Sequence, residues 1–88
     1  MQTYNLLRRI SIDPNILHGR PRIRGTRIAV TMVLELLAQG YSVTDICSGR
    51  FYPDLKREDI LACVAFANQF LNEEEIHFSE ELKHSPKA

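Results

Sequence analysis

Three segments between positions 30 and 72 carry hydrophobic residues at the three- and four-residue spacing of amphipathic helices. The first predicted helix runs from about Thr31, which can act as its N-cap, to Gln39, and Gly40 then ends it. Its apolar stripe consists of Val30, Val33, Leu34 and Leu37. The spacing therefore predicts a helix with one face turned toward a core.

The second predicted helix is short and extends from about Val43 to Ser48. Ser42 is placed to act as its N-cap, and Asp45 lies in its first turn, where a carboxylate complements the helix dipole. Gly49 is expected to end it.

The third predicted helix is the longest, from about Arg57 to Asn72. Its main stripe toward the core is predicted to be Ile60, Val64, Ala67 and Leu71, widened by Leu61, Cys63, Phe66 and Phe70. The residues expected to point outward are Glu58, Asp59, Ala62, Ala65, Asn68 and Gln69.

Residues before the helices have the character of short strands. Leu6–Ile12 alternates loosely, which predicts a strand with Ile10 and Ile12 on one face. The turn-forming residues Asp13-Pro14-Asn15 end this strand, and His18-Gly19-Arg20-Pro21 forms a second break.

The segment Arg22–Ile28 predicts a β-hairpin, because Gly25-Thr26 suits a two-residue type II′ loop. In that register Ile23 lies opposite Ile28, and Arg24 lies opposite Arg27. Since side chains alternate along a strand, the two isoleucines share the face toward the helices. The other face is predicted to carry Arg22, Arg24 and Arg27.

The order of helix, glycine turn, short helix, loop and longer helix is typical of helix-turn-helix proteins, although three-helix domains that bind no DNA share it. We predict a mainly α fold: a three-helix bundle of helix-turn-helix type, homeodomain-like or winged-helix-like, with an N-terminal β-hairpin. One such domain is predicted over residues 1–72, and an acidic, flexible tail over residues 73–88.

The charges are unevenly distributed, although the chain of 88 residues has no net charge. Residues 1–44 carry six arginines and two acids, whereas residues 45–88 carry five bases and nine acids. This division suggests two surfaces for two different partners, or it serves only to solvate the protein. A content of 44% hydrophobic and 25% charged residues is that of a globular protein.

Catalytic and metal-binding patterns are missing from the sequence. His18, His77 and His84 have no suitably spaced nucleophile or partner ligand, and no glycine-rich phosphate loop occurs. Cys47 and Cys63 are too far apart for a zinc motif and are expected to be free, buried thiols. We therefore expect no enzyme, no cofactor and no metal. With no membrane-spanning run and no secretory signal, a cytoplasmic location is expected.

Short blocks between Ile10 and Leu71 together resemble a family of small bacterial proteins, domain-of-unknown-function family four hundred thirty-three. The blocks are Ile12-Asp13-Pro14, Gly19-Arg20-Pro21, Gly25-Thr26-Arg27-Ile28, Gly40-Tyr41-Ser42, Tyr52-Pro53-Asp54-Leu55 and Glu58-Asp59-Ile60. The resemblance implies a homeodomain-like DNA-binding fold and an antitoxin role, with a PIN-like ribonuclease as the toxin. It implies no catalytic residue. Lys56 departs from the family, whose members often have Ser or Thr there to cap the third helix.

The basic residues give the candidate DNA-binding site. The hairpin face contributes Arg22, Arg24 and Arg27, and the start of the third helix contributes Lys56 and Arg57, to which Arg50 can be added. The body of that helix is poorly suited to bind in the major groove of DNA. No basic residue follows Arg57 until Lys83, and two carboxylates are expected to face outward. Pairing of the arginines with carboxylates is the alternative interpretation.

The acidic tail gives the candidate partner-binding site. Its large apolar residues are Ile76, Phe78 and Leu82, and an acidic segment with such anchors suits a basic groove on a ribonuclease. A frayed helix end is the alternative. The predicted function is therefore an antitoxin that neutralises a PIN-like ribonuclease and binds operator DNA. The second hypothesis is a small dimeric protein-interaction module that binds no DNA; a homodimer is expected in either case because the third helix has surplus apolar surface.

Overall fold

The structure is a computed structural model that describes the backbone of residues 3–82 and the side chains of residues 5–72. This part of the chain is mainly helical, with one two-stranded antiparallel sheet. Its elements are α1 (Thr3–Leu7), β1 (Ile10–Ser11), β2 (Arg22–Ile23), α2 (Val30–Ala38), α3 (Val43–Ile46) and α4 (Arg57–Leu82). The prediction of a mainly α fold is confirmed.

The N-terminal segment differs from the predicted strand over Leu6–Ile12. Its first residues form helix α1, which packs against α4 and buries Leu6, and only Ile10 and Ser11 are extended. Ile10 is buried whereas Ile12 is exposed, so the two do not share a covered face. Contact with α4, which is distant in sequence, stabilises a helix here in place of a longer strand.

Strand β2 lies between two partners. On one side it pairs with β1, with Ile10 opposite Ile23. On the other side Arg22 bridges Ala29, and the Ile23 amide donates to the Ile28 carbonyl at 2.9 Å, which confirms the predicted register. The predicted type II′ loop is wrong, because the tight turn begins one residue earlier.

The turn after β2 places Gly25 in its third position. The amide of Thr26 donates to the Ile23 carbonyl at 3.0 Å, and Gly25 has a φ of 79°. A positive φ at this position is what a type II turn requires, and glycine adopts it without a steric penalty.

Helix α2 begins one residue earlier than predicted, and Ala29 rather than Thr31 precedes it. The bridge to Arg22 holds Ala29 extended, and the Val30 amide donates to the Pro21 carbonyl at 2.9 Å. The chain therefore passes from sheet to helix without an intervening cap. The predicted end is confirmed, since Gly40 follows the helix with a φ of 100°.

The predicted cap of α3 is confirmed. The Ser42 hydroxyl accepts from the Asp45 amide at 3.1 Å, and the Asp45 carboxylate accepts from the Ser42 amide at 3.2 Å. The helix ends at Ile46 rather than Ser48. Residues 47–56 then connect α3 to α4, a longer connection than the roughly three- to four-residue turn of a helix-turn-helix.

Helix α4 is longer than predicted and is rotated relative to the predicted orientation. It continues past Asn72 to Leu82, because Glu73, Glu74 and Glu75 favour helix and no glycine or proline interrupts them. The boundary predicted at residue 72 therefore falls inside the helix, and residues 83–88 lie outside the described part of the chain.

The core-facing side of α4 agrees with the predicted stripe only in part: Ile60 and Cys63 are buried as predicted, but Val64 and Leu71 are not. Asp59, Ile60, Ala62 and Cys63 are buried, whereas Val64 is 44% and Leu71 is 62% exposed. The core that α4 covers is formed by Leu6, Ile10, Ile23, Ile28, Val30, Val33, Ile46 and Leu55. The helix thus leaves an apolar face unpartnered within the described residues.

Candidate functional site

Arg22 does not belong to an outward arginine face, contrary to the prediction. It is 9% exposed, and its Nη1 donates to the Thr26 carbonyl at 2.8 Å. Its Nε is buried without a hydrogen-bond partner among the described residues. This side chain is therefore covered and supports the turn rather than a phosphate.

Arg24 is exposed but also makes internal hydrogen bonds. Its Nε donates to the Arg8 carbonyl at 2.9 Å, and its Nη2 donates to the Ile10 carbonyl at 3.2 Å. Its amide donates to the Arg9 carbonyl at 2.8 Å. A guanidinium has five N–H donors, so Arg24 joins the turn to β1 and retains donors for another ligand. Arg27 is exposed on the same turn.

The exposed surface at the first turn of α4 is more positive than the sequence predicts, because one of its two acids is buried. Asp59 is only 8% exposed, and its Oδ1 accepts from Arg9 Nη1 at 3.1 Å. Its Oδ2 accepts from the Lys56 amide at 3.0 Å. The prediction that Asp59 and Ala62 point outward is wrong, and Asp59 supplies the contact to the Lys56 amide that completes the start of the helix. Lys56 and Arg57 are exposed.

These contacts join two basic regions that are distant in sequence. Arg24 bonds to the backbone of Arg8 and Arg9, and Arg9 bonds to Asp59 beside Lys56. Arg8 and Arg9 were not among the predicted site residues. The signal that could have indicated them is the arginine pair directly before β1, together with an acid at the start of α4.

Arg50 lies on the loop after α3 and belongs to an aromatic cluster with Tyr41 and Phe51. Its guanidinium carbon is 5.5 Å from the Tyr41 ring centroid and 5.1 Å from that of Phe51. The two rings meet edge to face, 4.8 Å apart. Such cation–π contacts hold Arg50 at the surface.

An open groove of about 610 Å³ runs between β1 and α4. It is lined chiefly by Leu7, Ile10, Ile12, Arg24, Phe66 and Phe70. Its walls offer apolar contact and one cation, which suits binding rather than acid–base chemistry. No sequence pattern indicates the groove, because it depends on how β1 meets α4.

The cysteines are free, as predicted, and Cys63 is buried while Cys47 is half-buried. Burial raises the pKa of the Cys63 thiol to about 12, and the charge of Asp59 contributes further. Burial also raises the pKa of Cys47, as do Asp59 and Glu58, while Arg57 opposes the change. Both thiols are therefore protonated and weakly nucleophilic near neutral pH.

No group of three or more metal-ligating side chains occurs within the described residues. His18 is exposed in a turn where Leu17, His18 and Gly19 all have positive φ. His77 and His84 lie outside the described side chains, as do the predicted partner-binding residues Ile76, Phe78 and Leu82.

The comparison with protein families assigns most of this structure to one family. A family model described as a protein of unknown function (DUF433) matches residues 10–67. The chain belongs to the DUF433 family. The matched DUF433 region extends from β1 into α4 and contains all six predicted DNA-binding residues, whereas α1 and the second half of α4 lie outside it.

The other comparisons add no relative of this DUF433 protein: no curated protein and no solved structure matches. No helix in the described part of the chain has the length and apolar character needed to cross a membrane.

Proposed function

We propose that this DUF433 protein is an antitoxin that binds and neutralises a PIN-like ribonuclease toxin and binds operator DNA. The family resemblance supports the antitoxin role. The observation that supports DNA binding is the inward placement of Asp59, which is covered and bonded to Arg9. Without that carboxylate at the surface, Lys56 and Arg57 face solvent at the start of α4.

In this proposal α2, α3 and α4 act as a three-helix unit, with a longer connection before α4 than a helix-turn-helix has, and meet DNA with the first turn of α4. The body of α4 is unsuited to the groove, since it has no charged residue from Ile60 to Leu71. Contacts to phosphates from Lys56 and Arg57, extended by Arg24 and Arg27, position a protein on DNA but carry little sequence information.

The salt dependence of DNA affinity tests this part of the proposal. Fluorescence anisotropy with the protein's own promoter should give a slope of log affinity against log salt that decreases by about 0.9 for each phosphate that the protein no longer binds. Lys56→Ala with Arg57→Ala should reduce the slope by about 2 for each protomer bound to the DNA. Exposed Arg20, changed to Ala, is the matched control. A double variant with the wild-type slope would place the DNA contact elsewhere.

The toxin-binding part rests on the acidic segment after Asn72, with its anchors Phe78 and Leu82. Among the side chains that the structure describes, residues 5–72, the buried hydrophobic ones lie between Leu6 and Cys63, so a chain shortened after Asn72 should remain folded. Toxin inhibition by this chain, or by Phe78→Ala with Leu82→Ala, should fall at least about a hundredfold. His84→Ala with Lys87→Ala is the control. Full neutralisation by the shortened chain would exclude the segment as the toxin-binding surface.

A second candidate function is a small dimeric protein-interaction module that binds no DNA. The exposed apolar residues of α4, Val64, Phe70 and Leu71, favour it, because large exposed apolar surfaces usually mark protein contacts. Failure of the wild-type protein to bind its own promoter at low salt, while it still binds a protein partner, would select this candidate.

A further inference from the structure

We propose that the outer face of α4, formed by Leu61, Val64, Asn68 and Leu71, binds the same face of a second copy, with the two α4 helices antiparallel. The inference concerns how two chains meet and holds whether or not the protein binds DNA.

The outer face is exposed although its composition is apolar. Val64 is 44% and Leu71 is 62% exposed, and Leu61 is partly buried at its edge. The core side of α4 is centred on Asp59, Ala62 and Cys63, which lie opposite the outer face, while the buried Ile60 lies at the border between the two sides, next to Leu71 around the helix. Val64, Asn68 and Leu71 are therefore not core positions of the described fold, whereas Leu61 also packs against the core.

Charged residues are missing over the whole of this stretch. From Ile60 to Leu71 the helix has no Asp, Glu, Lys or Arg for three turns. A helix face that borders water normally carries charges, because apolar residues gain nothing from exposure. The composition indicates a face that is covered in the functional protein.

The spacing on this face is that of helix-to-helix packing. Leu61, Val64, Asn68 and Leu71 follow each other at intervals of three, four and three residues, as in a coiled-coil seam. Ala65 and Ala67 flank the seam, and their small side chains allow a second helix to approach closely. A helix with the same spacing is the complementary partner.

The charges at the two ends of the stretch identify that partner and its direction. Lys56 and Arg57 precede the uncharged stretch, and Glu73, Glu74 and Glu75 follow it. Two copies in parallel would place like charges together at both ends, whereas two antiparallel copies place bases beside acids and also oppose the helix dipoles. The α4 sequence is thus complementary to itself in the antiparallel direction.

One alignment of two antiparallel α4 helices brings the residues of the outer face together and also places opposite charges beside each other. With Leu61 opposite Leu71 of the second copy and Val64 opposite Asn68, Arg57 falls opposite Glu75. The side chain of Glu75 lies outside the described part, so only its charge and its position along α4 enter this alignment. A carboxylate occupies two of the five donors of Arg57 and leaves the others for a phosphate.

Sedimentation equilibrium of the full chain tests the face. The wild type should be a dimer of the 10.1 kDa chain at tens of micromolar concentration. Leu71→Glu should weaken association at least about a hundredfold, because it places two charges in the seam. Phe70→Glu is the matched control: Phe70 is 55% exposed and lines the groove on the other side of α4, so this variant should remain dimeric. A monomeric wild type, or equal weakening by both variants, would overturn the proposal.

Disulfide cross-linking tests the direction, in a Cys47→Ser background in which the remaining Cys63 is buried. Val64→Cys chains mixed with Asn68→Cys chains should form a mixed disulfide. Leu71→Cys chains alone should not cross-link, because the two positions lie about 15 Å apart in the antiparallel pair. Efficient Leu71→Cys cross-linking without the mixed disulfide would show parallel helices and overturn the alignment. Since mass and cross-linking need neither DNA nor toxin, failure here is distinguishable from failure of the proposed function.

Discussion

The turn after β2 and the first turn of α4 are both basic, but they use their charges differently. In the β2 turn, Arg22 is buried and donates a hydrogen bond to the Thr26 carbonyl. Arg24 donates to two carbonyls of the α1–β1 segment. At the start of α4, Lys56 and Arg57 remain exposed because the neighbouring acid, Asp59, is directed inward. Similar positive charge therefore has a structural role in one region and forms an available surface in the other.

Replacement of Arg22 should give the largest effect on stability. Arg22→Ala removes a buried side chain and its bond to the Thr26 carbonyl, so the free energy of unfolding should fall by about 3 kcal/mol. Chemical denaturation measures this change. DNA affinity of the folded fraction should keep the wild-type salt slope. A reduced slope with little change in stability would place Arg22 on the binding surface after all.

Replacement of Asp59 should have the next largest effect. Asp59→Ala breaks the bond to Arg9 and removes the acceptor of the Lys56 amide, which should cost about 2 kcal/mol of unfolding free energy. This cost is smaller than that for a fully buried pair because Arg9 is partly exposed. Glu58→Ala is the neighbouring control and should cost less than about 0.5 kcal/mol. Equal destabilisation of the two variants in denaturant would contradict the inward role of Asp59.

The pH dependence of stability should reflect the burial of the Cys63 thiol on the core side of α4. The Cys63 thiol has a pKa near 9 in the unfolded chain and of about 12 in the folded protein, so folding favours the protonated thiol. Its contribution is complete below pH 9 and is lost as the pH rises toward 12, about 1.4 kcal/mol by pH 10. Denaturation of the wild type and of Cys63→Ala at pH 8 and pH 10 measures it. The same pH response in both proteins would contradict the raised pKa.

The smallest stability effects should separate Arg24 from Arg27. Arg24→Ala should cost about 1 kcal/mol, because it removes one exposed and one partly buried bond to backbone carbonyls, whereas Arg27→Ala should cost almost nothing. Together they should reduce the DNA salt slope by about 2 per protomer if both contact phosphates. Thermal melts and anisotropy titrations of the two single variants measure both quantities. A double variant with an unchanged slope would restrict the DNA surface to the start of α4.

Local patterns in the sequence predicted local structure well. The Ser42 and Asp45 cap, the Gly40 helix end and the pairing of Ile23 with Ile28 each involve residues within a few positions of one another. Propensity and spacing suffice for such features because they depend little on the rest of the fold.

Features that depend on distant contacts could not be predicted in the same way. Helix α1 forms where Leu6 meets α4, and the inward turn of Asp59 depends on Arg9, far away in sequence. The predicted orientation of α4 was wrong for a related reason. Apolar residues occupy two sides of this helix, so hydrophobic spacing alone does not indicate which side faces the core.

The hydrogen bonds of Arg24 and Arg9 also bear on how the protein opens locally. Arg24 binds the carbonyls of Arg8 and Ile10, and Arg9 binds Asp59 on α4, so the point where α1 meets β1 is attached both to the β2 turn and to α4. We expect the α1–β1 segment to detach from the rest of the domain as a unit, with its amides exchanging with solvent at a common rate. The Arg24 amide, bound to the Arg9 carbonyl, should exchange with this unit. The Ile23 amide, bound within the turn to Ile28, should remain protected until the whole domain unfolds.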